Sequence, residues 1–171
     1  QNMNILQSTA AAAERVFAFL EEEEEVPECE DPVEIFDADG HTDIQGQVTF
    51  ENVHFGYRPD KIIIHDFSMY IKPGRKIAIV GPTGAGKTTI IKLLMRFYEL
   101  NSGTIYIDGI PTTQMRRRDL RALFGMVLQD AWLFSGTVME NLRYGRPDAT
   151  DEEVIRAADA AYVDHFIRPL D

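Results

Sequence analysis

The run Gly81-Pro82-Thr83-Gly84-Ala85-Gly86-Lys87-Thr88 carries the most specific chemistry in the chain. It fits G-x-x-x-x-G-K-[ST], a loop whose glycines let successive backbone N–H groups turn inward around one anion. The helix that follows the loop aims its positive end at the same point. Lys87 can then reach the β- and γ-phosphates of a nucleotide as a compact cation, and the Thr88 hydroxyl can ligate a bridging Mg²⁺. Thr89 is a candidate contact for the α-phosphate. Kinases, GTPases and transport ATPases share this loop, so the residues around it must decide what the phosphate bond drives.

Such a loop works only between a strand and a helix, and the flanks supply both patterns. Ile77-Ala78-Ile79-Val80 is apolar on both faces, which predicts a buried parallel strand. The helix that follows is expected to run to about Tyr98. Upstream, Val48 and Phe50 alternate in one phase and Val53 and Phe55 in the other, which predicts a bulge near Glu51 and Asn52. Ile63, His65, Phe67, Met69 and Ile71 form a second period-two run, and Lys72-Pro73-Gly74-Arg75 suits a type II turn. Downstream, strands are expected over Thr104–Ile107 and Gly125–Leu128, around a short helix near Arg116 to Phe124. Thr137 with Glu140, and Thr150 with Glu153, form two capping boxes that open helices in the last third. An antiparallel start followed by an α/β core is the predicted architecture.

The N-terminal region differs in kind. From Asn4 to Leu20, apolar residues recur at three and four, as on one face of a helix that must lie against a partner. Glu21 to Gln45 is too charged and too broken by Pro27 and Pro32 to pack a core, and reads as a linker. The net charge of −11 is concentrated there: residues 1–46 hold thirteen acidic side chains against Arg15 alone, and the rest hold sixteen basic against fifteen acidic. No basic groove for nucleic acid follows from that balance. Arg116, Arg117, Arg118 and Arg121 read as a solvated helix face. The histidines lack metal-ligand spacing, and the lone Cys29 has no partner for an internal disulfide. Because the chain begins at Gln1 inside a helical pattern, it is expected to be an excerpt of something longer.

Three blocks in order, Phe55-Gly56-Tyr57-Arg58-Pro59, the phosphate loop, and Val127 to Leu142 with Gln129 inside it, resemble the nucleotide-binding domain of ABC exporters. The resemblance continues through Tyr144-Gly145-Arg146-Pro147-Asp148 to Phe166 and covers nearly the whole chain. It implies a P-loop NTPase (RecA-like) α/β core with an N-terminal antiparallel β subdomain and the start of a helical subdomain. Residues 1–20 would continue from a transmembrane domain, 21–46 would be an acidic linker, and 47–171 a partial nucleotide-binding domain.

By the same resemblance Tyr57 stacks on adenine, and Gln129 is the Q-loop glutamine that touches Mg²⁺ or the attacking water. ATP and Mg²⁺ are the implied cofactors, held by Tyr57, Gly81, Pro82, Thr83, Gly84, Ala85, Gly86, Lys87, Thr88 and Thr89, with Thr88 and Gln129 on the metal. Trp132 to Thr137 would receive a coupling helix. The implied partners are the transmembrane domain of the same transporter and a second nucleotide-binding domain, at the cytoplasmic face of a membrane, the plasma membrane. The LSGGQ loop, the Walker B strand with its catalytic glutamate and the switch histidine are not among these residues. This chain alone is therefore expected to bind nucleotide without hydrolysing it. The alternative reading is a truncated, non-catalytic nucleotide-binding or interaction module.

Overall fold

The computed structural model describes residues 2–58, 60–127 and 132–167. They form two compact units, 1–125 and 126–171.

In the first unit, alternating apolar residues build a four-stranded antiparallel sheet in the order β2-β1-β3-β4, with β1 Val48–Phe55, β2 Ile64–Ile71, β3 Ser102–Ile107 and β4 Ile110–Pro111. The expected bulge is present: the β1–β2 register shifts between Phe50 and Val53, and Asn52 takes a positive φ of 47°. One extra residue resets the alternation, so Phe50, Val53 and Phe55 are all buried in one core although they do not share one phase. Ser68 accepts the Asn52 backbone N–H at 2.9 Å. In β2 the inward residues are Ile64, Phe67 and Met69, with His65 exposed, because Asp66 also takes positive φ and shifts the phase that simple alternation assigned. The β3–β4 hairpin turns on Asp108-Gly109, both at positive φ, a two-residue turn of the I′ type.

Helix α2, Lys87–Leu94, lays Ile90 and Leu93 on this sheet. It is shorter than the expected run to Tyr98 for a local reason. Phe97 N–H bonds to the Lys92 carbonyl and Arg96 N–H to that of Leu93, with Arg96 at φ 52°, which is a Schellman closure with arginine where glycine is usual. The left-handed cost is offset by the buried Arg96 side chain, which pairs with Glu99 at 2.9 Å and donates to the carbonyls of Thr112 and Met115.

Two expected strands are not in the sheet. Ile77–Val80 has no regular secondary structure, with Val80 87% exposed and only Ile79 packed on the core; Gly125–Val127 is likewise irregular, and Leu128 lies outside the described residues. A strand is held by its neighbours' backbone groups, and among the described residues no strand lies alongside to supply them.

The acidic stretch behaves differently from its composition. Ile35 is buried in a second core with Ile107, Met115 and Leu120, flanked by Phe36 and Ile44. The arginines expected on a solvated face hold it there. Arg117, in helix α3 (Arg117–Ala122), is only 6% exposed; it bonds Glu99 at 2.7 Å and the Val26 carbonyl at 2.7 Å, and its backbone N–H donates to Glu28. Arg116 pairs with Glu34, and Arg121 lies 3.6 Å from Glu25. Asp108 accepts the backbone N–H groups of Gln45 and Gln47, which fixes the end of the stretch at the hairpin. Carboxylates written as a charge run are thus spent on one basic cluster. The preceding helix α1, Asn2–Leu20, leaves Val16, Phe17, Phe19 and Leu20 exposed, and no helix among the described residues is long and apolar enough to cross a membrane.

In the second unit both capping boxes form as the sequence predicts. Thr137 and Glu140 open α4 (Val138–Arg143), and Thr150 and Glu153 open α5 (Asp151–Ala160), which buries Val154 and Ala158; α6 is Asp164–Ile167. Hydrogen bonds from Thr137, first its backbone N–H and then its hydroxyl, hold the Glu140 carboxyl below the ordinary carboxylate range. The Thr150 backbone N–H and then Arg146 do the same for Glu153, and Glu153 in turn raises Arg146.

Two outcomes follow from these contacts. Ile35→Ala is expected to lower stability by roughly 2–4 kcal/mol in a denaturant titration, as for any buried isoleucine, whereas a residue in a loose linker would change nothing. Because the folded pKa values of Glu140 and Glu153 lie below the unfolded value of about 4.3, their contribution is complete above that pH and is lost as pH falls through the folded values. Carboxyl NMR titration should place both midpoints below about 4.3, and amide protection relative to the unfolded chain in α4 and α5 should fall only as pH drops through those midpoints.

Candidate functional site

The phosphate loop is assembled on β2 and α2. Gly84 and Gly86 take positive φ, 83° and 82°, which turns the chain tightly enough to bring Gly86 to the N-cap of α2. Gly86 also has no room for a side chain: an added Cβ would stand 2.7 Å from Ile64 Cδ1 at the start of β2. The Ala85 N–H donates to the Pro82 carbonyl at 3.2 Å and closes the turn, and the Ile90 N–H donates to the Gly86 carbonyl to begin the helix. Gly81, Pro82, Thr83, Gly84, Ala85 and Thr88 are exposed.

Lys87 folds back over this loop. Its ammonium donates to the carbonyls of Gly81 at 2.8 Å and Pro82 at 2.7 Å. A cation held by neutral carbonyls keeps its full charge, so the centre of the loop is positive, with the N-terminus of α2 behind it. That arrangement fits a polyphosphate: the site presents one fixed cation and a helix end, and the glycines leave no side chains in the way. For a divalent cation the described fit is narrower. Thr88 offers an exposed hydroxyl one residue beyond Lys87. Gln129, its expected companion, lies outside the described residues.

Tyr57 follows β1 and stands beside the loop. Its hydroxyl lies 3.1 Å from that of Thr89, which is buried in the first turn of α2. Phe55 and Tyr98 each meet the Tyr57 ring edge-on with centroids 5.0 Å apart, and 46% of Tyr57 remains exposed. Gly56 next to it is forced by close packing, since a Cβ there would lie 2.1 Å from the Lys61 carbonyl oxygen; its N–H donates to the Asn101 side chain at 2.8 Å. The structure therefore joins Tyr57, the glycine loop, Lys87, Thr88 and Thr89 around one helix. Tyr98 and Asn101 belong to the same neighbourhood and were missed. The Phe97-Tyr98 pair directly after an apolar helix was the available signal for the first.

In the second unit the apolar segment Trp132-Leu133-Phe134 is open to solvent, Trp132 by 84%. It is nevertheless held in shape. Asn141 accepts the Phe134 N–H at 2.7 Å and donates to the carbonyls of Phe134 and Thr137, and the Phe134 ring packs on Tyr144 with centroids 4.8 Å apart.

Comparison with known proteins agrees with this geometry. Residues 64–168 match the ABC transporter family. A fatty acid ABC transporter ATP-binding/permease protein of Mycobacterium bovis is 51% identical over 98% of this chain and 25% of its own length. A mitochondrial iron-sulfur clusters transporter of Candida albicans is 46% identical over 74% of this chain and 17% of its own. A solved structure, that of a bacterial Atm1-family ABC exporter with ATP bound, superimposes with a TM-score of 0.81 at 39% identity, over 98% of this chain and 28% of that one. The chain thus spans 17% to 28% of the length of these relatives. With a glycine loop closed by Lys87 at a helix start, inside a mixed α/β fold shared with those exporters, the chain belongs to the ABC transporter family and forms part of its P-loop nucleotide-binding domain.

Proposed function

We propose that this chain binds Mg-ATP as part of an ABC exporter and that, in the complete protein, ATP binding and hydrolysis drive a substrate across a membrane. The observation that carries the reading is the Lys87 ammonium held 2.7 to 2.8 Å from the carbonyls of Gly81 and Pro82, at the N-terminus of α2. Such a lysine exchanges neutral carbonyl partners for phosphate oxygens when a nucleotide enters, and gains charge-assisted hydrogen bonds.

Each residue then has a part. Gly81, Pro82, Thr83, Gly84, Ala85 and Gly86 wrap the phosphates with backbone N–H groups. Lys87 contacts the β- and γ-phosphates, Thr89 serves the α-phosphate end, and Tyr57 stacks on adenine. Thr88 and Gln129 would hold Mg²⁺, which neutralises charge developing on the phosphates. We infer that this segment by itself binds nucleotide without turning it over, the general base for water being supplied by other residues of the complete protein.

Two partners complete the proposal, the first of them engaged at two places. Residues 1–20 continue from a transmembrane domain, with 21–46 as the connection and 47–171 as a partial nucleotide-binding domain. The exposed Trp132 to Thr137 segment receives a helix of that domain at the cytoplasmic face of the membrane. A second nucleotide-binding domain closes over the bound ATP. The relatives named for fatty acids and for iron-sulfur clusters share this same domain, which supports a cargo chosen elsewhere in the protein.

Two measurements test the reading. In vesicles carrying the complete protein, Lys87→Ala is expected to reduce ATP-dependent transport by about two orders of magnitude, as loss of a preorganised charge contact does. Undiminished transport would overturn the assignment. Calorimetric titration with Mg-ATP should show Tyr57→Ala weakening binding by about 1–3 kcal/mol, with Tyr57→Trp near the parent value.

A further inference from the structure

Nothing in the roles above uses Tyr98, yet its ring packs on Tyr57 from outside β1. Its ring meets Tyr57 at 5.0 Å and 84°, while Phe55 meets Tyr57 at 5.0 Å and 83° from the core side. Phe55 and Tyr98 also touch each other at 5.6 Å. The third hold is at the tip of the ring, where the Tyr57 and Thr89 hydroxyls lie 3.1 Å apart. Two perpendicular neighbours and one terminal hydrogen bond leave a tyrosine little freedom about either of its side-chain torsions. Tyr98 is itself 41% exposed, so it is not there merely to fill the core.

A half-exposed tyrosine without such supports samples several orientations, and a ligand that stacks on it must order it first. Both outer supports are placed by one element, α2. Thr89 lies in the first turn of α2, and Tyr98 follows the Schellman closure at its end. The helix that carries Lys87 therefore also sets the platform for the base, which keeps base and phosphate contacts in register.

We propose that Tyr98 is a positioning residue for nucleobase recognition, acting with Thr89 and Phe55 to hold the Tyr57 ring in its stacking orientation. This rests on the reading that Tyr57 stacks on the base, and the test separates the two. Affinities for ATP and for inorganic tripolyphosphate, which has no base, are measured by calorimetry on the complete protein. Tyr98→Leu is expected to weaken ATP roughly three- to tenfold, the scale of ordering one side chain, and to leave tripolyphosphate unchanged. Tyr98→Phe, which keeps the ring edge, should match the parent.

Equal losses for both ligands would mean a merely structural role and overturn the proposal. So would unchanged ATP binding by Tyr98→Leu when Tyr57→Ala gives a base-selective loss. If Tyr57→Ala itself shows no base-selective loss, the stacking reading fails, and the proposal falls with it. Should Tyr98→Leu not fold, Tyr57→Phe decides the matter, since it deletes only the hydroxyl that Thr89 holds. A base-selective loss supports the clamp, and parent-like binding of both ligands overturns it.

Discussion

Everything at the nucleotide end of this molecule depends on the packing of α2 against the antiparallel sheet. Ile90 and Leu93 enter a core formed by Phe50, Val53, Phe55, Ile64 and Ile105, and they fix the height and rotation of the helix. Because Lys87 and Gly86 are its first residues, the same contacts determine where the positive end points. Among the described residues the loop has few bonds of its own, a turn hydrogen bond and the lysine contacts. Its shape is borrowed from the helix beneath it and from Ile64, which leaves no space for a side chain at Gly86.

The far end of α2 is equally constrained. A left-handed arginine ends the helix, and its buried guanidinium then ties the closure to Glu99 and to the carbonyls ahead of α3. Glu99 is shared with Arg117, and Arg117 reaches the acidic stretch at Val26 and Glu28. A continuous set of charge-assisted hydrogen bonds therefore runs from the phosphate-loop helix to the segment that follows α1. Such networks cost desolvation, and removing one member strands its partners in a poorly solvated place. This gives the connection between α1 and the domain a defined path over the surface of the first unit, where composition alone suggests a floating tether.

Much was legible before any coordinates. The bulge at Glu51 and Asn52, the turn at Gly74 and both capping boxes are local devices, and each was readable from neighbouring residues. The glycine loop was equally plain, because its chemistry depends on residue type at short spacing, whereas Tyr57 entered only through the resemblance of its block to the exporter family. The strand expected at Ile77–Val80 was a different kind of inference. Its apolar run is genuine, but a buried strand exists only when other strands flank it, and that is not a property of four residues.

The sequence by itself determined the local grammar: where helices start, where the sheet turns, and that a phosphate cradle lies between an apolar run and a helix. Tertiary structure alone decided that Ile35 is core, that Arg117 is buried, and that Tyr98 and Thr89 grip Tyr57. The physical reason is distance along the chain. Capping boxes and turns join residues a few positions apart, so residue type and spacing nearly specify them. Arg117 and Glu28, or Tyr57 and Tyr98, are brought together only after the sheet and α2 have packed, and no short-range pattern records that meeting.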